Sequence, residues 1–162
     1  MNVRTLVPIA LLLAFGLLSP DPAGATTTTA SAAVDSVETL FEQAGRFYGE
    51  GRYRQAIPVF RRVVKIDPRH ANAFALLGGS YFQLGDYQRA IQAFERALQL
   101  DEGIKLAYLG LVASNYLTER VGAARHWLQR MVPILDGEER DRYLAMIENQ
   151  FPLLGDSELG DS

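Results

Sequence analysis

The sequence predicts an all-α protein, a short solenoid of about three helical pairs closed by one capping helix. Two observations carry that prediction. Small residues recur at Ala56, Ala90 and Ala124, a constant step of 34 residues. Large apolar residues keep the same step at Phe60, Phe94 and Leu128, and again at Leu40, Phe74 and Tyr108. One such triple could arise by chance, but three in register require a repeated unit. Within each unit the apolar residues fall three and four apart, the spacing of one helix face, and no alternating run marks a strand.

The chain is read from its first residue. Met1-Asn2-Val3-Arg4 precedes an uncharged run from Thr5 to Pro20. Leu6 to Leu18 is interrupted by Pro8 and Gly16 and is shorter than the roughly 20 residues of a membrane span. Ala23-Gly24-Ala25 then supplies the small residues that signal peptidase cuts after. The expectation is an export signal over residues 1–25 cleaved after Ala25, the alternative being an uncleaved anchor. Thr26 to Val34 is polar, aperiodic and rich in Thr, Ala and Ser, as a flexible spacer is.

Asp35-Ser36-Val37-Glu38 has the form of a capping box, with Asp35 accepting from the first turn and Glu38 reaching back. The first helix runs to about Gly49, with Leu40, Ala44 and Phe47 on one stripe. Gly51-Arg52-Tyr53 is a turn in which glycine takes the left-handed conformation. A second helix presents Ala56, Ile57, Phe60, Val64 and Ile66 and closes at Asp67-Pro68, since proline cannot continue it. The next unit repeats the plan: Phe74, Leu77, Gly78 and Tyr81, then the turn Gly85-Asp86-Tyr87, then Ala90, Phe94 and Ala97. A third copy keeps Tyr108, Leu111, Ala124, Leu128 and Val132 but has Val112 for the small residue and Glu119-Arg120 for the turn. Pro133 ends its second helix early. Asp136-Gly137-Glu138-Glu139 opens a capping helix to about Gln150, where Tyr143, Leu144 and Ile147 cover the last pair. Residues 152–162 read as a disordered acidic tail.

An aromatic, two residues, Leu-Gly, two residues and Tyr, followed by Ala, three residues and Phe, is the pattern of Phe74 to Phe94, and it resembles a tetratricopeptide repeat. The resemblance covers residues 35 to about 135, in repeats of about 37–70, 71–104 and 105–136 within a domain of 35–151. It implies a right-handed superhelix whose first helices line a concave face. Carried over by position, that face receives Glu38, Phe41, Gly45 and Tyr48, then Asn72, Ala75, Gly79 and Phe82, then Leu106, Leu109, Ala113 and Tyr116. Of these, Phe41, Tyr48, Asn72, Ala75, Phe82, Leu106, Leu109 and Tyr116 form the expected groove for a peptide or an amphipathic helix. Tyr48, Phe82 and Tyr116 equally suit packing between repeats. Some relatives clamp a carboxylate with Lys, Asn and Arg, but the matching positions here are Phe41, Gly45, Asn72, Leu76, Leu106 and Gly110, which leave only Asn72 polar.

The chain has no cysteine, which removes disulfides, thiolate catalysis and cysteine-based zinc sites. An exported chain without disulfides fits a bacterial periplasm better than a eukaryotic extracellular space. The net charge of −3 is carried by Asp156, Glu158 and Asp161, so the repeats are balanced overall and hold no basic excess for nucleic acid. His70 and His126 have no ligand spacing around them, no serine has an adjacent base, and no phosphate loop follows a strand. The reading is a non-catalytic, cofactor-free and metal-free interaction module outside the cytoplasm, with a protein or peptide partner and membrane contact only through an uncleaved leader. The alternative is a self-assembling scaffold, and an enzyme accessory subunit comes after both.

Overall fold

The computed structural model describes residues 36–154; the leader, the spacer, Asp35 and residues 155–162 lie outside them. Seven α-helices follow one another, with no strand among the described residues. They are α1 (Val37–Gly49), α2 (Tyr53–Ile66), α3 (Ala71–Gln83), α4 (Tyr87–Leu100), α5 (Lys105–Leu117), α6 (Val121–Met131) and α7 (Gly137–Gln150). A 3₁₀ turn, Val132–Ile134, contains Pro133 and follows α6; another, Pro152–Leu154, follows α7.

The core is made by the residues that keep the repeat step. Leu40, Ala44, Ala56, Phe60, Ala90, Phe94, Ala97, Tyr108, Leu111, Ala124 and Leu128 are all buried. Burying each large side chain of this set contributes about 1.5–3 kcal/mol relative to exposure. Phe94 shows why small residues accompany it. Its ring lies between α3 and α5, and a Cβ built on Gly78 would sit 2.8 Å from its Cδ1, one on Gly110 only 2.2 Å from its Cε2. The ring therefore rests on two bare helix backbones, one from its own pair and one from the next.

Each helix of a pair turns into its partner through the same backbone device. Gly51 (φ 72°) and Gly85 (φ 78°) occupy the left-handed region, and so does Glu119 (φ 62°) at the third turn. The hydrogen bonds match: Gly85 N–H donates to the Phe82 carbonyl at 2.9 Å and Asp86 N–H to that of Tyr81 at 3.0 Å. Glu119 N–H likewise reaches the Tyr116 carbonyl at 3.0 Å and Arg120 N–H that of Asn115 at 2.8 Å.

Within the described residues the helices form two rows. Inner helices α1, α3 and α5 pack on their neighbours in the row, while outer helices α2, α4 and α6 pack on inner ones and are held apart by them. An array closed on one side and splayed on the other must curve, with α1, α3 and α5 on the concave side.

Two expectations are corrected at the ends. The first helix is capped by Ser36, whose Oγ accepts from Thr39 N–H at 3.1 Å, so the cap falls one residue later than Asp35. The tail does not lose structure at residue 152. Phe151 and Leu154 are buried, and Arg125 of α6 donates through Nη2 to the Leu153 carbonyl at 2.8 Å. Two apolar anchors and one backbone bond dock a turn whose proline reads as a breaker. At the other end of α7, Asp136 accepts from Glu139 N–H at 2.8 Å. The Glu139 carboxylate pairs with Lys105 of α5 instead of reaching back, and that bond raises the lysine pKa.

Candidate interaction surface

The inner row differs chemically from the outer one. Helix α3 contains no Asp, Glu, Lys or Arg and α5 only Lys105, although α1 carries Glu38, Glu42 and Arg46; the outer helices carry half of the chain's arginines. Both α3 and α5 are buried over most of their circumference, as residues 77–82 and 107–115 show. A helix that is apolar all round belongs inside, and the inner row is where neighbours touch it on the most sides.

The expected groove residues divide between surface and interior. Asn72 is exposed, and Phe41, Tyr48, Leu106 and Tyr116 are half-buried. Ala75, Phe82 at 6% exposure and Leu109 at 9% are buried, so these three belong to the packing and not to a groove surface. Phe82 is closed in because its ring, at the end of α3, stacks at 5.5 Å on Tyr87 at the start of α4. Tyr48 makes the same contact with Tyr53 at 5.4 Å one repeat earlier. The Tyr48 hydroxyl also occupies the place of the missing Gly79 side chain, 2.7 Å from where that Cβ would be. Gly79 is thus filled by tyrosine rather than forming an open floor. Burial in this corner, with Tyr53 adding to it, pushes the Tyr48 phenol up to about 12.

Tyr116 lacks the third version of this contact, because Val121 stands where Tyr53 and Tyr87 do. Its ring stacks on Phe151 instead, at 4.8 Å. Phe41 packs against His70 at 4.5 Å and Phe60 at 6.0 Å. His70 caps α3 by accepting through Nδ1 from Ala73 N–H at 3.2 Å. Trp127 is half-buried, edge-on to Tyr108 at 6.2 Å, with Arg130 5.1 Å above it. The inner face therefore presents Phe41, Asn72 and Leu106 as accessible side chains, backed by rings locked in pairs.

Sequence reasoning missed a second feature, on the outer side. Where α2 and α4 are held apart, a cavity of about 340 Å³ opens over α3. Phe74, Leu77 and Tyr81 form its apolar floor, and Arg61 of α2 and Arg89 of α4 its rim. Arg89 is fixed by Asp86 at 2.6 Å and lies 5.0 Å over the Tyr81 ring.

Residues 41–105 match the family model described as tetratricopeptide repeat. Among solved structures, MamA superposes with a TM-score of 0.68 at 24% identity, over 77% of this chain and 73% of that one. The Yersinia enterocolitica type III secretion chaperone SycD, in complex with a peptide of the translocator YopD, gives 0.65 at 19% identity, over 75% and 92%. The first TPR of Spaghetti (RPAP3), bound to the HSP90 peptide SRMEEVD, gives 0.63 at 19% identity, over 72% and 93%. At these identities the likeness is one of fold. No curated protein matches the sequence.

Proposed function

We propose, since this is a tetratricopeptide-repeat protein, that it works without catalysis as a protein-interaction module whose inner face holds a peptide or helix. The observation that carries this is the composition of the inner row, where α3 and α5 together hold a single charged side chain and α1, α3 and α5 in turn present Phe41, Asn72 and Leu106. Such a face favours a partner with apolar anchors and at least one amide or hydroxyl group for Asn72. Two neighbours of the same fold, SycD and the Spaghetti domain, were solved with peptides bound, which agrees with this use of the architecture.

A photo-crosslinking residue in place of exposed Asn72, followed by mass spectrometry, tests the reading. The expected adduct is a different protein, lost when Phe41→Ser and Leu106→Ser are introduced together. Absence of any adduct in cells that contain the native partners would reject the inner face as a binding surface. Adducts with the protein itself would favour the scaffold reading.

We also place the protein outside the cytoplasm, as a periplasmic adaptor. The support is the short apolar leader followed by Ala23-Gly24-Ala25. N-terminal sequencing of the mature chain should begin at Thr26. An intact Met1 in the membrane fraction would show the segment to be an anchor.

A further inference from the structure

The balanced total charge conceals a separation along the solenoid. Helix α2 bears Arg54, Arg61, Arg62 and Lys65 and no carboxylate. At the other end, α7 is acidic on balance, and residues 155–162, Gly-Asp-Ser-Glu-Leu-Gly-Asp-Ser, contain Asp156, Glu158 and Asp161 with no base. The cavity between α2 and α4 lies at the basic end.

Three properties of that cavity describe its ligand. Its floor of Phe74, Leu77 and Tyr81 is apolar, and its volume of about 340 Å³ sits at the low end for a ligand pocket, enough for one apolar side chain. Its rim is cationic on both walls. Arg61 is exposed and has no ion-pair partner among the described residues, whereas Arg89 is already held by Asp86. The ligand that fits is an acidic peptide with a single apolar residue among its carboxylates. Residues 155–162 have that composition: Leu159 is their one large apolar residue, with Glu158 before it and Asp161 two places after.

We propose that this outer cavity binds the acidic segment 155–162 of a second copy, linking copies head to tail. A chain's own segment is poorly placed to do so. Leu154 is docked beside α6, and to reach the cavity the chain would have to cross α6 and α4, each about 10 Å wide. The five residues from Leu154 to Leu159 span about 17 Å at full extension. The contact joins two different patches, so each copy keeps one free cavity and one free segment, and assembly continues with concentration. It uses no inner-face residue and is independent of the function proposed above.

Sedimentation of the full chain over a wide concentration range tests this. At low salt the mass should climb with concentration, and high salt should weaken association about tenfold, since exposed charges are screened. Arg61→Glu should remove association, as should Asp156→Asn with Glu158→Gln, which leaves no basic segment to suit an acidic rim. Helicity should be unchanged because Arg61 is exposed and Asp156 and Glu158 lie outside the described residues. The decisive arm mixes those two monomeric variants. One has only a working segment and the other only a working cavity, so the mixture should form a dimer and stop there. A wild-type chain that stays monomeric overturns the proposal, whether because its segment folds back or because the cavity serves another protein's acidic peptide. Association that survives Arg61→Glu overturns it too. If that association is instead lost with Phe41→Ser and Leu106→Ser, self-assembly belongs to the inner face.

Discussion

The first two helical pairs and the third share a backbone but not the residues that would ordinarily impose it. Gly51 and Gly85 turn the chain at φ values glycine adopts freely; Glu119 makes the same turn at φ 62° with a side chain that resists it. Tyr48 and Phe82 stack on a ring from their own pair, while Tyr116 finds Val121 there and takes Phe151 from beyond the capping helix. Asp86 caps its helix through a side chain, whereas Arg120, like Arg52 in the first pair, makes no such bond. At the turns and ring pairs of the first two helical pairs, local chemistry and packing agree. In the third, packing against α4 and the docked C-terminal turn holds a conformation that local chemistry opposes.

The strongest way to break this arrangement is at the junction between the two kinds of pair. Gly110→Ala would place a Cβ 2.2 Å from the Phe94 ring, with Gly78 blocking retreat on the other side. A loss of about 2–3 kcal/mol is expected in denaturant unfolding, against the gain of about 1 kcal/mol that glycine-to-alanine brings at an open helical site. Gly122→Ala in α6, where nothing lies within 4 Å, should show that gain. If both variants behave alike, the ring is not clamped.

The turns offer a reciprocal exchange. Glu119→Gly should stabilise by about 1 kcal/mol and Gly85→Glu should destabilise by about 1–2 kcal/mol, read from thermal midpoints. Equal and small shifts would mean that the third turn is no more strained than the second. Asp86→Ala should cost about 1 kcal/mol through loss of the cap bond to Arg89 N–H, and Arg120→Ala much less. A further effect is confined to alkaline pH and leaves stability at neutral pH untouched. The Tyr48 pKa is raised in the folded protein from 10.0 to about 12, so its share of stability is intact below pH 10 and is lost as pH rises from 10 to 12. Absorbance at alkaline pH should show one phenol ionising near 12, absent from Tyr48→Phe.

Sequence reading reached the helical pairs because alanine, glycine and aromatic positions report packing directly: a ring needs a small neighbour, and the step between them is fixed. It could not reach contacts made across elements. Phe82 and Leu109 looked like groove side chains because their helix face is correct, yet ring stacking and the closeness of inner helices bury them. Phe151 and Tyr116 are joined only once α7 has folded back. Gly110 gave a usable hint, since a glycine inside an apolar helix carries a propensity cost that some close approach must offset. Arg61 and Arg89 gave none; they meet across a gap that exists because the outer helices diverge.

The seating of Phe94 bears on how such a chain could be lengthened. Adding a helical pair between α2 and α3 would leave the ring with both of its glycines. The same addition between α4 and α5 would part Phe94 from Gly110 and give it whatever residue the newcomer offered, unless that newcomer brought a glycine of its own. Both joints of this solenoid are keyed by a glycine, the second beneath the Phe94 ring and the first beneath the Tyr48 hydroxyl at Gly79.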